Sequence, residues 1–215
     1  MAYLNPKQML VEDEDTKGTV IGIMRHHLNR WGNSENEWPI NIKIEGSADE
    51  VLRETGIEAE LKASGVTTLG VIVDADENAD GRWKRISSFC KKNGANVSDA
   101  CPVEGLIVDN IHGCKFGAWI MPNNKDAGMV ENFCHDLIPA GDKLWRFAQG
   151  CAINAKTRGA SFREVHFHKA EMHTWLAWQD PPGERMGSAI TKKILNHDAD
   201  AAKPFIDWFR NLYEI

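Results

Sequence analysis

The stretch that most constrains this chain is Thr67 to Glu77, TTLGVIVDADE. Leu69 to Val73 is an uninterrupted apolar run, rich in β-branched residues and ending abruptly in Asp74 and Asp76. Such a run reads as a strand covered on both faces, as in the middle of a parallel sheet. If the extension persists through the acids, the strand's period of two aims both carboxylates the same way. Ligands of open α/β sheets bind beyond the carboxyl ends of the strands, so this acidic edge is where chemistry is expected.

The segments around it repeat the alternation. Lys7–Val11 is a short apolar strand running into Glu12, Asp13, Glu14 and Asp15. Val20, Ile21, Met24 and Leu28 then recur at helical spacing, predicting a helix over Thr16–Trp31, capped by Asp15 or Thr16 and stopped by Gly32. Ile40, Ile42 and Ile44 alternate with polar residues, which predicts a strand with one wetter face, near an edge. Ser47 caps a helical stretch broken at Gly56 and resumed to Ser64. After the central strand, Asp80-Gly81 is expected to turn the chain into a helix carrying Trp83, Ile86, Phe89 and Cys90. Three strand–helix alternations require a parallel sheet with helices packed on it.

Beyond residue 100 the pattern changes. Gly105–Asp109 and Lys115–Met121 flank Asn110-Ile111-His112-Gly113 and read as a hairpin. Asp126 is expected to cap a helix with Met129, Val130, Phe133 and Leu137 inward and Glu131 in its first turn. Helices are expected around Leu144–Phe147, Lys169–Trp178, Ser188–Leu195 and Ala201–Leu212. One α/β domain over residues 1–215 is predicted, with a Rossmann-like core at about 6–140 and a helical C-terminal elaboration at about 141–215.

A 42% hydrophobic and 26% charged composition is that of a globular protein, and no apolar run approaches the roughly 18 residues of a membrane helix. With no basic-then-apolar leader, the expected location is the cytoplasm. Five scattered cysteines without a C-x-x-C pair argue against a disulfide framework and a cysteine zinc site. The net charge of -6 does not favour nucleic acid by bulk electrostatics, yet it leaves room for a local basic groove.

Two strands ending in acids, Glu12 on one and Asp74 and Asp76 on the other, bring several carboxylates to one sheet edge. Clustered carboxylates raise one another's pKa, and a hard divalent cation relieves that. Oxygen-only ligands favour Mg²⁺ or Mn²⁺ over zinc. Glu131 is the candidate fourth ligand. The opposing reading is that aspartates after strands merely cap turns.

VEDEDTK after the first strand, a second βα unit and VIVDADE before a helix together resemble the Toprim domains of primases, topoisomerases and OLD-type (overcoming lysogenization defect) nucleases. The segments GAWIMPNN, DAGMVENF, KAEMHTWLAW and PPGERMGSAI are similar to a small stand-alone bacterial Toprim type of unassigned activity. Where many Toprim proteins have glycine after the glutamate, this chain has Asp13. The resemblance implies that Glu12 is the proton shuttle or bridging ligand and that Asp74 and Asp76 hold Mg²⁺ or Mn²⁺. It also implies an added acid, Glu131 with Asp126 as substitute, and an added lysine, Lys169. Topoisomerase chemistry needs a tyrosine nucleophile, but Tyr3 and Tyr213 lie beside the termini. Primases need zinc and further domains. Metal-activated water attacking a phosphodiester of DNA or RNA needs nothing more than is present.

Lys156, Arg158 and Arg163 are the candidate nucleic-acid contacts, against the commoner reading of a solvated charged face. His166, His168 and His173 suggest phosphate or water contacts ahead of zinc, since no further ligand completes an H-x-H site. Most of the tryptophans are expected in the core. Two rivals stand beside the nuclease. One is a phosphatase or phospho-receiver, although D-x-D is here mid-chain and followed by Glu77 instead of an early threonine. The other is a non-catalytic effector working with a partner ATPase, as stand-alone Toprim proteins do in phage defence. Homo-oligomers fit any of the three.

Overall fold

Backbone pairing joins the apolar runs into one sheet. A computed structural model describes residues 5–29 and 31–215; Tyr3 lies outside the described residues. The strands are β1 (Lys7–Val11), β2 (Asn41–Ile44), β3 (Thr68–Asp74), β4 (Leu106–Ile111) and β5 (Cys114–Met121), in the order β2-β1-β3-β5-β4. β1, β2, β3 and β5 run parallel, and β4 pairs antiparallel with β5 through the predicted hairpin. All seven residues of β3 are buried, as an uninterrupted apolar run in a central strand requires. β2 is an edge strand, and Ile44 at its end is exposed.

Helices cover both faces. On one lie α2 (Ala48–Val51), α3 (Glu54–Leu61) and α4 (Ala79–Lys92), packed on Leu69, Val71 and Val73. On the other lie α1 (Glu14–His27), α5 (Val130–His135), α6 (Lys143–Thr157), α7 (Phe167–Leu176), α8 (Met186–Thr191) and α9 (Lys203–Tyr213), sharing one apolar cluster with Met9, Ile72 and Trp119. The strand period of two thus sends alternate β3 residues into different layers. The architecture is α/β and Rossmann-like. The residues after 140 form the thicker layer of the same core. Close approach of α9 to the sheet requires Gly70, where a Cβ would strike the Tyr213 hydroxyl.

Several boundaries differ from those the sequence suggests. α1 begins two residues earlier, because Asp13, and not Asp15 or Thr16, caps it by accepting the Thr16 N–H at 2.8 Å. It stops at His27, well before Trp31 and Gly32. The break between α2 and α3 falls at Leu52-Arg53, and Gly56 lies inside α3. Asn78 accepts the Gly81 N–H at 2.8 Å, so Asp80-Gly81 belongs to the first turn of α4. Asp126 caps no helix: its own N–H donates to Asn123 Oδ1 at 2.9 Å, and α5 starts four residues later. Among the described residues no helix is long and apolar enough to cross a membrane.

Candidate functional site

From β1 the chain leaves through α1, on one face of the sheet, and from β3 through α4, on the other. Their carboxyl ends therefore flank a crevice at the point where the winding reverses, the position at which open α/β sheets bind ligands. Glu12 follows β1 directly and Asp74 closes β3. The Glu12 carboxylate accepts the Asp74 N–H at 2.6 Å, so an acid continues the ladder where a carbonyl would otherwise stand. Asp74 Oδ1 in turn accepts the Val130 N–H at 3.0 Å, at the start of α5. That contact fixes the next residue, Glu131, which is 1% exposed.

Gly128 sets this junction. Asp76 and Gly128 exchange two backbone hydrogen bonds of 2.9 and 2.7 Å, with Gly128 at φ +137. Few side-chain-bearing residues adopt that conformation, so a glycine is needed to bring the α5 loop against the end of β3.

Electrostatically the crevice is under strain. Burial first, then the Glu12, Glu131, Asp13 and Asp76 carboxylates, push the Asp74 carboxyl up to about 9. Burial also raises Glu12; the Asp74 amide and Arg82 pull it back while Asp76 and Asp13 push it further. A carboxyl group in this state binds a proton at neutral pH unless a cation replaces it. Lys169, from α7, is the internal cation nearest Glu131, 2.9 Å from Oε1 and 3.8 Å from Asp15 Oδ2. The Glu131 contact is an ion pair by distance but lacks hydrogen-bond geometry, and Oε1 remains buried without a hydrogen-bonded partner. Burial alone would lower the Lys169 ammonium, but Glu131, Asp15 and Asp13 outweigh it and hold it above its usual value.

Asp76 departs from expectation. Its φ of +51 ends the extended backbone, so Asp74 and Asp76 do not project as neighbours on one strand face. Its carboxylate instead pairs with Arg82 Nη2 at 2.7 Å, while Arg82 Nε donates to the Asp74 carbonyl at 3.1 Å. Among the described residues, Glu12, Asp74 and Asp76 do not bring ligand atoms within 4.8 Å of one another, whereas two carboxylates and an imidazole, those of Asp15, Glu131 and His173, do. The donors facing the crevice are carboxylate oxygens, one of them buried and met only by the Lys169 ammonium, and such a set suits a hard cation such as Mg²⁺ or Mn²⁺. Among the described residues Glu12, Asp74 and Glu131 are not within 4.8 Å of one another either, so they would hold one ion only by drawing together, and Asp76 would join only by leaving Arg82.

Beside Asp76 opens a cleft of about 520 Å³ lined also by Arg82, Arg85, Arg163 and His166. Of the predicted basic contacts only Arg163 lines it. Lys156 folds onto the Phe162 carbonyl and sits 4.8 Å over that ring, and exposed Arg158 caps the end of α6. The H-x-H segment is not a strand. His166 ends a single 3₁₀ turn, and His168 opens α7 and pairs with Glu171 at 3.0 Å. Asp126 is no substitute for Glu131: it lines a separate cleft of about 810 Å³ with Val103, Trp119 and Trp208, between the hairpin and α9.

Sequence reasoning missed Asp15 and His173 as neighbours of Glu131, and Arg82 and Arg85 as basic groups at the crevice. Arg82 had a readable signal, being in the first turn of the helix that follows D-x-D. His173 had none, since only the packing of α7 on α5 brings it in.

A family model described as a protein of unknown function (DUF3226) matches residues 6–214. No curated protein and no solved structure matches the chain. The match spans the sheet, both helical layers and every residue of the crevice, and the chain belongs to the DUF3226 family.

Proposed function

We propose that the chain is a Mg²⁺- or Mn²⁺-dependent nuclease of the Toprim type that hydrolyses phosphodiester bonds of DNA or RNA. One observation carries this reading: Asp74 is buried among the Glu12, Glu131, Asp13 and Asp76 carboxylates with no cation of its own. A site selected for stability alone would replace such a group, whereas a cation-dependent site retains it. The order of the acids along the chain supports the same reading, because it is the order on which the Toprim resemblance rests.

A divalent cation bound there supplies charge neutralisation for a phosphodiester and an activated water. The protein's own contributions follow from the geometry. Glu12 is anchored by the Asp74 amide and is raised above the usual carboxylate range, which suits a group that takes a proton from water and returns it to a leaving oxygen. Arg82, Arg85 and Arg163 line the adjoining cleft and are the residues that would orient phosphates. Lys169, 2.9 Å from Oε1, holds the Glu131 carboxylate in place.

The pairing of Asp76 with Arg82 favours a second reading, an effector silent until a partner such as an ATPase rearranges the crevice. The phosphatase or phospho-receiver reading gains no comparable support. Incubation with supercoiled DNA and single-stranded RNA plus Mn²⁺ tests the proposal. Cleavage by the wild type, reduced at least a hundredfold in Asp74→Ala and Glu12→Ala, is the expected outcome. Metal-dependent cleavage undiminished in both variants contradicts it.

A further inference from the structure

The far end of α1 gathers a second group of ligand-bearing side chains with a different chemistry. His26 and His27 occupy its last turn, and His197 and Asp198 follow α8. The loop holding them is tied to the core by the Asn196 N–H, which donates to the Leu137 carbonyl at 2.7 Å. Asp198 Oδ1 lies 3.6 Å from His27 Nε2 and 3.3 Å from His197 Nδ1. The His26 ring stacks flat on His197, centroids 3.8 Å apart. His197 is 13% exposed, and its Nδ1 is buried without a hydrogen-bond partner.

We infer that His27, His197 and Asp198 form a site for a divalent transition-metal ion of the zinc class. A tetrahedral ion with ligands at about 2.0–2.2 Å holds neighbouring donor atoms about 3.3–3.6 Å apart, the spacing of both histidine nitrogens from Asp198 Oδ1, and donor atoms of the three residues all lie within 4.8 Å of one another. Two imidazoles and one carboxylate are the donor set that zinc and its neighbours prefer over Mg²⁺, and three protein ligands leave a fourth position open. His27 Nε2 lies 3.1 Å from the His197 carbonyl and donates to it, so ligation exchanges that hydrogen bond for the ion and moves the ring proton to Nδ1. The stacked His26 bonds the Thr191 carbonyl at 3.2 Å and holds the His197 plane in position, as a supporting residue does at a metal centre. The ion would clamp the end of α1 to the segment that leads into α9.

Cobalt(II) titrated into the full-length, chelator-treated protein tests this directly. Expected are the visible absorption of a tetrahedral N/O complex, saturating at one ion per chain in that band whatever the carboxylate crevice binds, and no thiolate charge-transfer band. Affinity read from that band should fall at least tenfold in His27→Gln and in His197→Gln, and stay unchanged in His173→Gln. Failure of the wild type to bind, a thiolate band, or wild-type affinity in both histidine variants overturns the inference. Should either variant lose its folded circular dichroism spectrum, imidazole ¹⁵N shifts of the wild type with Zn²⁺ decide. Shifts at His27 and His197 are required, and their absence contradicts the site.

Discussion

Gly70 and Asp74 lie four residues apart on β3 and point into the same helical layer, yet they meet opposite conditions. At Gly70 the strand is packed to its limit, with the Tyr213 hydroxyl and Leu212 against the backbone. At Asp74 the same strand ends in a carboxyl surrounded by four others and pushed up to about 9. One position has everything it needs for stability and no room for change. The other is held in an unfavourable state by two hydrogen bonds, its own N–H donating to the Glu12 carboxylate and its carboxyl accepting the Val130 N–H. Local destabilisation kept in place by a rigid surround is what a ligand site costs a fold.

The contrast sharpens if each position is altered. The larger effect is expected at Asp74. Its folded-state value lies near 9 against an ordinary 3.8, so between those limits the native state holds a proton that the unfolded chain has lost. The group's contribution to stability is therefore highest below about pH 4, declines as pH rises, and is flat above about 9. Asp74→Asn cannot ionise and keeps an acceptor for the Val130 N–H. Without metal it should be more stable than the wild type by up to about 5 kcal/mol at pH 8, with little difference near pH 4. Thermal melts in chelator across that range check this. A gain independent of pH would break the comparison. At Gly70 the sign reverses and the effect is smaller. Gly70→Ala adds one methyl group against Tyr213 and should cost about 1–3 kcal/mol by urea unfolding, at any pH.

How much of this was legible depended on how local each cause is. The central strand, the parallel sheet, the edge position of β2 and the hairpin follow from runs and alternations of a few residues. Asp13 as the cap of α1 was hidden among four consecutive acids, any of which has the chemistry to cap. Glu12, Asp74 and Glu131 could be named because acids after strands and in a first helical turn carry their position in the sequence. The αL turn at Asp76 could not be read, since it depends on the Gly128 loop meeting it across the crevice. Arg158 and Lys156 shared a basic segment with Arg163, but only the fold decides which of them turns toward the acids. His27 and His197 are separated by most of the chain and meet only through the packing of α1 on α8.

The central claim is that the carboxylates at the ends of β1 and β3 exist to hold a hard cation. Isothermal titration of Mn²⁺ at pH 8, with wild type, Asp74→Asn and Glu12→Gln, tests it most directly. Saturable binding by the wild type is expected, weakened at least tenfold in each variant and weaker in all at pH 6. Equal affinity in all three proteins would contradict it.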